Sequence, residues 1–463
     1  MHYLWWYVPF LTAPMLIAIV SVFHVFVSMY AVGGGLFLAV ETQYAYSTGN
    51  RDYLAYLKNH AWFFILLTVV YGAITGVGIW WTIGLASPLA TEALIHIFVF
   101  GWAMEYVFFI LEIASAFIFF YCWDRLEPKT HQIIGWIYAI SAWISLVLIT
   151  GITAFMLNPG RWSEQESFWI AFFNPQFLPQ TLARTGGSLL LATLYVYLHA
   201  GFCLKNNNIQ TLISKRSTRP GLLGASLITI GGLWWYLALP DSAKAALAAA
   251  SVLNVLTVLI FAMTIVVFIM LYLGPYRNPG WITPGFALLL FTFGLAATGT
   301  GEFIREAVRK PFIVYDLVLG NQIMRNEIPT LKKTGYLEGG VWTKAYIFRH
   351  YPQAVTTDGR INESALLRLS EDDRLRVGEI LFQYHCNDCH AIKDGYSAVS
   401  NMTRGWTPEM ILALVEDLDK AHFFMPPFAG THEEAQLLTQ YLYSIAKPFP
   451  AGLPGGKGVR SEG

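Results

Sequence analysis

The five residues Cys386-Asn387-Asp388-Cys389-His390 hold two thiols two residues apart, with an imidazole directly behind the second. At that spacing two thiols can add to the vinyl groups of one porphyrin while the histidine reaches its iron, which is the attachment pattern of a c-type haem. A zinc half-site or a redox dithiol shares the cysteine spacing. Structural zinc asks for two further Cys or His, and the only other cysteines, Cys122 and Cys203, stand in long apolar segments. Cys386 and Cys389 are therefore read as attachment points of a covalent haem c, and His390 as its ligand.

Downstream, Met425-Pro426-Pro427-Phe428 offers a second axial ligand, since a thioether opposite histidine raises the haem potential. The arrangement resembles class I cytochromes c, in which a methionine follows the attachment site at about this distance and is often followed by proline. Met402 and His422 are the nearby competitors; Met425 is preferred.

The elements that carry this motif are of two kinds. Hydrophobic residues make up 55% of the 463, charged residues 13% and aromatics 16%, and the apolar runs are long; such a chain is a polytopic membrane protein. Apolar runs of spanning length give eight candidate helices, at about 8–40, 61–86, 91–123, 131–157, 181–204, 221–240, 246–274 and 281–301. An N-terminus outside puts Arg51, Lys58, Arg125, Lys129, Lys205, Lys215, Arg216, Arg219 and Arg277 in inner loops, against Arg161 and Lys244 outside. Eight spans then return the chain to the outer face where the haem c motif begins, the side on which that haem is attached. The first residues carry no Lys or Arg and read as the start of a spanning helix more than as a cleaved signal.

The expected fold is all-α: a membrane bundle over 1–315, a solvated polar connector over 316–375, a small helical cytochrome c domain over 376–447 and a disordered tail over 448–463. The formal net charge is +0, which argues against a nucleic-acid partner.

Ionisable side chains inside a membrane span are costly and mark a pathway, a ligand or a buried pair. Here they are His24, Glu92, His96, Glu105, Glu112 and Arg184, with Glu302, Arg305, Glu306 and Arg309 at the end of the last span. Glu105 and Glu112, seven residues apart, share a helix face. A row of carboxylates suits a proton path to a buried redox site, or else simple hydrogen bonding between helices. His24, mid-helix before a glycine run, is read as a haem ligand.

These residues also carry a family resemblance. His24 with the following glycines, Val40-Glu41-Thr42, Ile110-Leu111-Glu112, Cys122-Trp123-Asp124-Arg125-Leu126 and Met156-Leu157-Asn158-Pro159 occur in an order that resembles subunit I of the cytochrome bd oxidases. Glu306-Ala307-Val308-Arg309-Lys310-Pro311-Phe312 is similar to that family's E-x-G-R-Q-P-W signature. The resemblance implies that His24 and Glu306 ligate a high-spin pair of b- or d-type haems and that Glu112, with Glu105 less cleanly aligned, delivers protons. It also implies a second, related membrane subunit. Arg184 stands where the family ligates its low-spin b haem through histidine, and Leu256 and Asn254 where it has methionine and arginine. The long quinol-oxidising loop is missing, and the cytochrome domain takes the place of the family's final helix.

The expectation is a bd-like terminal oxidase of the bacterial cytoplasmic membrane, its cytochrome domain on the periplasmic side, taking electrons from a soluble c-type cytochrome instead of quinol. Arg305 and Arg309 would then pair with haem propionates or with the glutamates. Two other readings stay open: an electron conduit without oxygen chemistry, drawing on quinone or a partner enzyme with His96 or His199 as further ligands, and a haem-free anchor for the cytochrome domain.

Overall fold

The computed structural model describes residues 3–204 and 207–446, without the side chain of Asn207. Lys205 and the tail over 448–463 lie outside the described residues. Among the described residues the fold is helical, with one short hairpin, and the chain divides into two compact units.

The membrane unit comprises 18–81 and 92–309. Among the described residues eight helices are long and apolar enough to cross a bilayer, as the sequence predicts: α1 Ala13–Thr48, α2 Arg51–Ala86, α4 Val99–Tyr121, α5 Pro128–Phe155, α6 Phe177–Cys203, α7 Asn208–Leu237, α8 Ser251–Tyr276 and α9 Pro284–Ala307. A short helix, α3 Pro88–Ile97, precedes α4. The expected span over 91–123 is thus two helices broken at Phe98. Glu92 and His96 belong to α3 and are exposed, His96 Nδ1 lying 2.9 Å from the Glu92 carbonyl oxygen. The second span starts ten residues earlier than expected, because Gly49 turns the chain at φ +65° and Asn50 caps the new helix by accepting from Tyr53 N.

α6 is the central helix, with 78% of its apolar window buried against 17–22% for most others. The glycine run of α1 lets neighbours approach. A Cβ at Gly33 would lie 1.9 Å from the Ser188 carbonyl oxygen of α6, and one at Gly35 1.9 Å from the Tyr138 ring of α5. In water a mid-helix glycine costs about 0.5–1 kcal/mol; between packed membrane helices it permits backbone contact. α2 carries a π-helical segment over Leu66–Tyr71, a local widening frequent at functional sites.

The second unit comprises 1–17, 82–91 and 310–463. It corrects two expectations. Residues 316–375 are not a solvated connector: Leu319, Ile323, Leu331, Tyr336, Leu337, Ile347 and Leu366 share one core with Val377, Leu381, Phe382 and Leu438 of the cytochrome domain. The segment supplies the second strand of a hairpin, β1 Phe312–Val314 with β2 Val318–Leu319, then α10 Ile328–Gly339 and α11 Val341–His350. Its charged residues lie on the outside of an apolar pattern, which is why it reads as linker in the sequence. The chain's first residues do not begin a span either; α1 starts at 13. Trp5 packs edge-on against Tyr384 at 4.9 Å, Asn387 Nδ2 donates to the Trp6 carbonyl at 3.2 Å, and Tyr396 N donates to Phe10 O at 2.8 Å.

The cytochrome helices are α12 Glu371–His385, α13 Pro408–Glu416 and α14 His432–Ile445. Ser370 caps α12 and three acidic residues fill its first turn, matching the helix dipole. Buried Glu434 of α14 accepts from Tyr336 N at 2.8 Å and Leu337 N at 2.7 Å, and from Thr431 N at 3.2 Å. Gly335, at φ +79°, is required there, since a Cβ would lie 2.5 Å from Glu434 Oε1. Glu434→Ala strands these donors and is expected to destabilise the second unit by about 2 kcal/mol, read as an earlier thermal transition of the haem c Soret circular dichroism. An unchanged transition would show that the 316–375 segment is not coupled to the cytochrome core.

Candidate haem sites

In the second unit, α12 ends at His385 and the chain turns on itself. Cys389 N and His390 N both donate to the Cys386 carbonyl, at 3.1 and 3.0 Å, so both thiols and the imidazole come from one tight loop. His390 Nδ1 lies 3.0 Å from the Ser397 carbonyl. A carbonyl only accepts, so Nδ1 carries the proton and Nε2 keeps its lone pair for a metal. Burial, and then neighbouring Cys389, pushes the Cys386 thiol up to about 12. Among the described residues no group of three or more His, Cys, Asp or Glu gathers to hold a metal. The loop fits covalent haem c.

Met425 is half-buried and packs on the core of this unit, with its N–H tied to the His422 carbonyl at 2.8 Å. The competitors are more exposed: Met402 is 51% exposed and His422 is exposed. His385, which the motif overshadows in the sequence, is buried beside the attachment loop. Its Nδ1 lies 2.7 Å from the Tyr336 hydroxyl and 3.1 Å from Asn321 Nδ2, and the same hydroxyl accepts from Ala429 N at 2.8 Å. Burial and then His390 push His385 down to about 3, so it serves as a neutral hydrogen-bonding group.

In the membrane unit, half-buried His24 of α1 has Nδ1 3.1 Å from Thr75 Oγ1 of α2. That hydroxyl spends its hydrogen on the Tyr71 carbonyl at 2.9 Å, so it accepts from Nδ1–H and leaves His24 Nε2 open. Tyr71 closes the π segment, and Gly76 makes room: a Cβ there would be 3.1 Å from His24 Cε1. Glu306, at the end of α9, is paired with buried Arg309, and Arg309 also donates to Met156 Sδ at 3.5 Å. One turn before, Arg305 donates from Nε and Nη2 to Glu302 Oε2, at 3.0 and 2.8 Å. The two arginines thus meet the glutamates.

α1 and α9 pack antiparallel through Val22 against Gly299 and Phe26 against Phe291 at 5.1 Å. His24 therefore sits level with about residue 295, and Glu306 is eleven residues further on, roughly 16 Å along the axis. The two side chains stand at different levels along the bundle. Arg184 of α6, where a histidine would ligate a low-spin haem, donates instead to Thr150 Oγ1 at 3.1 Å and lies within electrostatic reach of Glu302 and Arg305.

The carboxylates of α4 form two rungs against α5. Tyr138 donates to Glu112 Oε1 at 3.2 Å and Ser145 to Glu105 Oε1 at 3.0 Å, partners that are themselves seven residues apart. His60 is a buried intramembrane histidine that the sequence reading leaves out because it starts the second span at 61; the asparagine cap after Gly49 was the available signal.

Residues 13–235 match the family model of cytochrome bd terminal oxidase subunit I, and residues 373–442 that of the cbb3-type cytochrome c oxidase subunit III. Among solved structures the chain is similar to the bd oxidase from Geobacillus thermodenitrificans, with a TM-score of 0.56 at 18% identity over 65% of this chain and 87% of that one; the likeness is one of fold. No curated protein matches.

Replacing Met425 by histidine is expected to lower the midpoint potential of haem c, because a thioether favours the reduced iron more than an imidazole does. Met402→Ala and His422→Ala should leave the potential where it is in an optical redox titration, and a shift confined to either of these would reassign the ligand. The chain thus joins a segment that matches the model of cytochrome bd terminal oxidase subunit I to one that matches the model of the cbb3-type cytochrome c oxidase subunit III.

Proposed function

We propose that the chain is the haem-bearing subunit of a bd-like terminal oxidase that accepts electrons from a soluble c-type carrier in place of quinol. One conjunction carries this reading. The haem c loop presents an imidazole with its Nε2 available, while the membrane unit keeps His24, Glu306 and the two-rung carboxylate ladder but has arginine where the low-spin ligand would be. Electrons then need an entrance other than the quinol loop, and a fused cytochrome supplies one.

When bound, the haems would carry single electrons and reduce oxygen, with four electrons and four protons, to two molecules of water. Cys386 and Cys389 would hold haem c, with His390 and Met425 as its ligands. His24 and Glu306 would each hold a b- or d-type haem in the membrane. Three guanidinium groups, Arg184, Arg305 and Arg309, face two carboxylates, Glu302 and Glu306; the surplus positive charge suits a haem propionate, which a planar guanidinium binds in two places. Glu105 and Glu112, held by neutral hydroxyl donors, can each take up and release a proton without breaking an ion pair. The exposed apolar faces of the spans suit lipid and a second bd-like subunit, and the loop charges favour a periplasmic position for the cytochrome unit at the bacterial cytoplasmic membrane.

Oxygen uptake by the holo-protein in its membrane tests the reading directly. A reduced soluble c-type cytochrome should support uptake and a quinol should not; uptake from quinol alone would overturn the donor, and none from either would overturn the oxidase. Glu112→Gln is expected to slow uptake by about tenfold or more with the haem spectra unchanged.

A further inference from the structure

Below the Glu112 rung, the membrane unit buries a cluster of ionisable and aromatic side chains that the function above does not use. His60 of α2 is fully buried. Its Nε2 lies 3.1 Å from the Tyr30 hydroxyl of α1, and its Nδ1 meets no hydrogen-bond partner. Neither tautomer removes the mismatch. If Nε2 accepts from Tyr30, the Nδ1–H has no acceptor; if Nε2–H donates, the Nδ1 lone pair has no donor. Leaving a buried polar atom unmatched is unfavourable, and a phenyl ring would fill the same space without the penalty. An imidazole with one nitrogen engaged and the other open is, however, what a proton shuttle requires.

The surroundings extend in both directions. The His199 ring of α6 stands 4.9 Å from His60 at 68°, with Nδ1 3.4 Å from the Tyr56 hydroxyl. Tyr56 stacks parallel to Tyr53 at 6.2 Å. Tyr53 donates to Glu41 Oε2 at 2.9 Å, and Glu41 is paired with Arg216 of α7. On the other side Tyr30 and Tyr138, the residue that donates to Glu112, pack on the same Phe64 ring, at 5.3 and 5.6 Å. The order along the helices is consistent. Arg216, Glu41 and Tyr53 lie at the end that carries Arg51, Lys58, Arg125 and Lys129, the inner side by the charge bias. Tyr30 is eleven residues up α1 from Glu41, roughly 16 Å towards the middle of the membrane.

We propose that His60 and His199, with Tyr30, Tyr56, Tyr53 and Glu41, form an inner-side proton entrance that reloads Glu112 through Tyr138. Each transfer balances at the imidazole: a proton from the His199 side binds Nδ1 of His60, the proton on Nε2 leaves towards the Tyr30 hydroxyl, and the ring ends neutral in the opposite tautomer. Bridging water or ring rotation spans the steps from Tyr53 to Tyr56 and from Tyr30 to Tyr138. The inference rests on Glu112 as a proton carrier, but not on oxygen as the final acceptor, because an electron entering a low-dielectric interior draws in a proton whatever its destination.

The test is proton uptake from the inner side when the holo-protein, reconstituted in liposomes, is photoreduced under argon with a pH-indicating dye on that side. The wild type should take up protons. His60→Phe and Tyr30→Phe should slow uptake by about tenfold or more with haem spectra unchanged. His60→Gln should be as slow, since an amide can keep the hydrogen bond to Tyr30 but cannot pass a proton on. Wild-type uptake rates in His60→Phe, recovery in His60→Gln, or no inner-side uptake in the wild type would each overturn the relay. Should His60 variants lose haem, Tyr30→Phe, which removes a single oxygen, decides. Oxygen uptake is scored separately on the same preparation: its absence in the wild type sinks the oxidase reading and leaves the dye result standing.

Discussion

A charge in the core of a bilayer costs several kcal/mol unless it meets a partner or water, and that penalty organises the membrane unit. Glu41 meets Arg216, Glu302 meets Arg305 and Glu306 meets Arg309. The first pair ties the end of α1 to α7 and so fixes which face of α1 turns inward. Glu105 and Glu112 are treated differently. Their partners are the neutral hydroxyls of Ser145 and Tyr138, so these two carboxylates remain free to change protonation state, while Glu41 through Arg216 ties two helices together.

Packing supplies the remaining precision. The glycines of α1 bring Tyr138 close enough to touch its backbone, and Tyr138 in turn donates to both the Ala31 carbonyl and Glu112. His24 is oriented in a similar way, by Thr75 on a helix widened at its π segment and cleared at Gly76. In each case a side chain that could do chemistry is aimed by a hydroxyl whose own hydrogen is already committed to, or shared with, a backbone carbonyl. The haem c loop follows the same logic, with a carbonyl fixing the tautomer of His390.

The parts of the molecule legible in the sequence are those set by short patterns or by composition. Eight spans follow from apolar runs, and Cys386, Cys389 and His390 from one motif. What stays hidden depends on contacts distant in the chain. The segment 316–375 looks like linker because its buried residues, such as Leu319, Tyr336 and Leu366, are interleaved with charge and find their core only against α12 and α14. The attachment of Trp5, Trp6 and Phe10 to residues near 384–396 spans almost the whole chain. His60 is missed for a local reason, a helix start placed ten residues late. The pairing of Arg305 and Arg309 with glutamates is not fixed by their spacing and is seen only in the geometry of α9.

The central claim is that the membrane unit holds a haem with an open coordination position, to which the fused cytochrome delivers electrons. A carbon monoxide difference spectrum of the purified, dithionite-reduced protein addresses it most directly. A membrane haem with an open position gives a clear shift of its bands, with haem c unchanged if His390 and Met425 hold both of its axial positions. No shift, with b-type bands present beside those of haem c, would contradict the account and leave an electron conduit in its place.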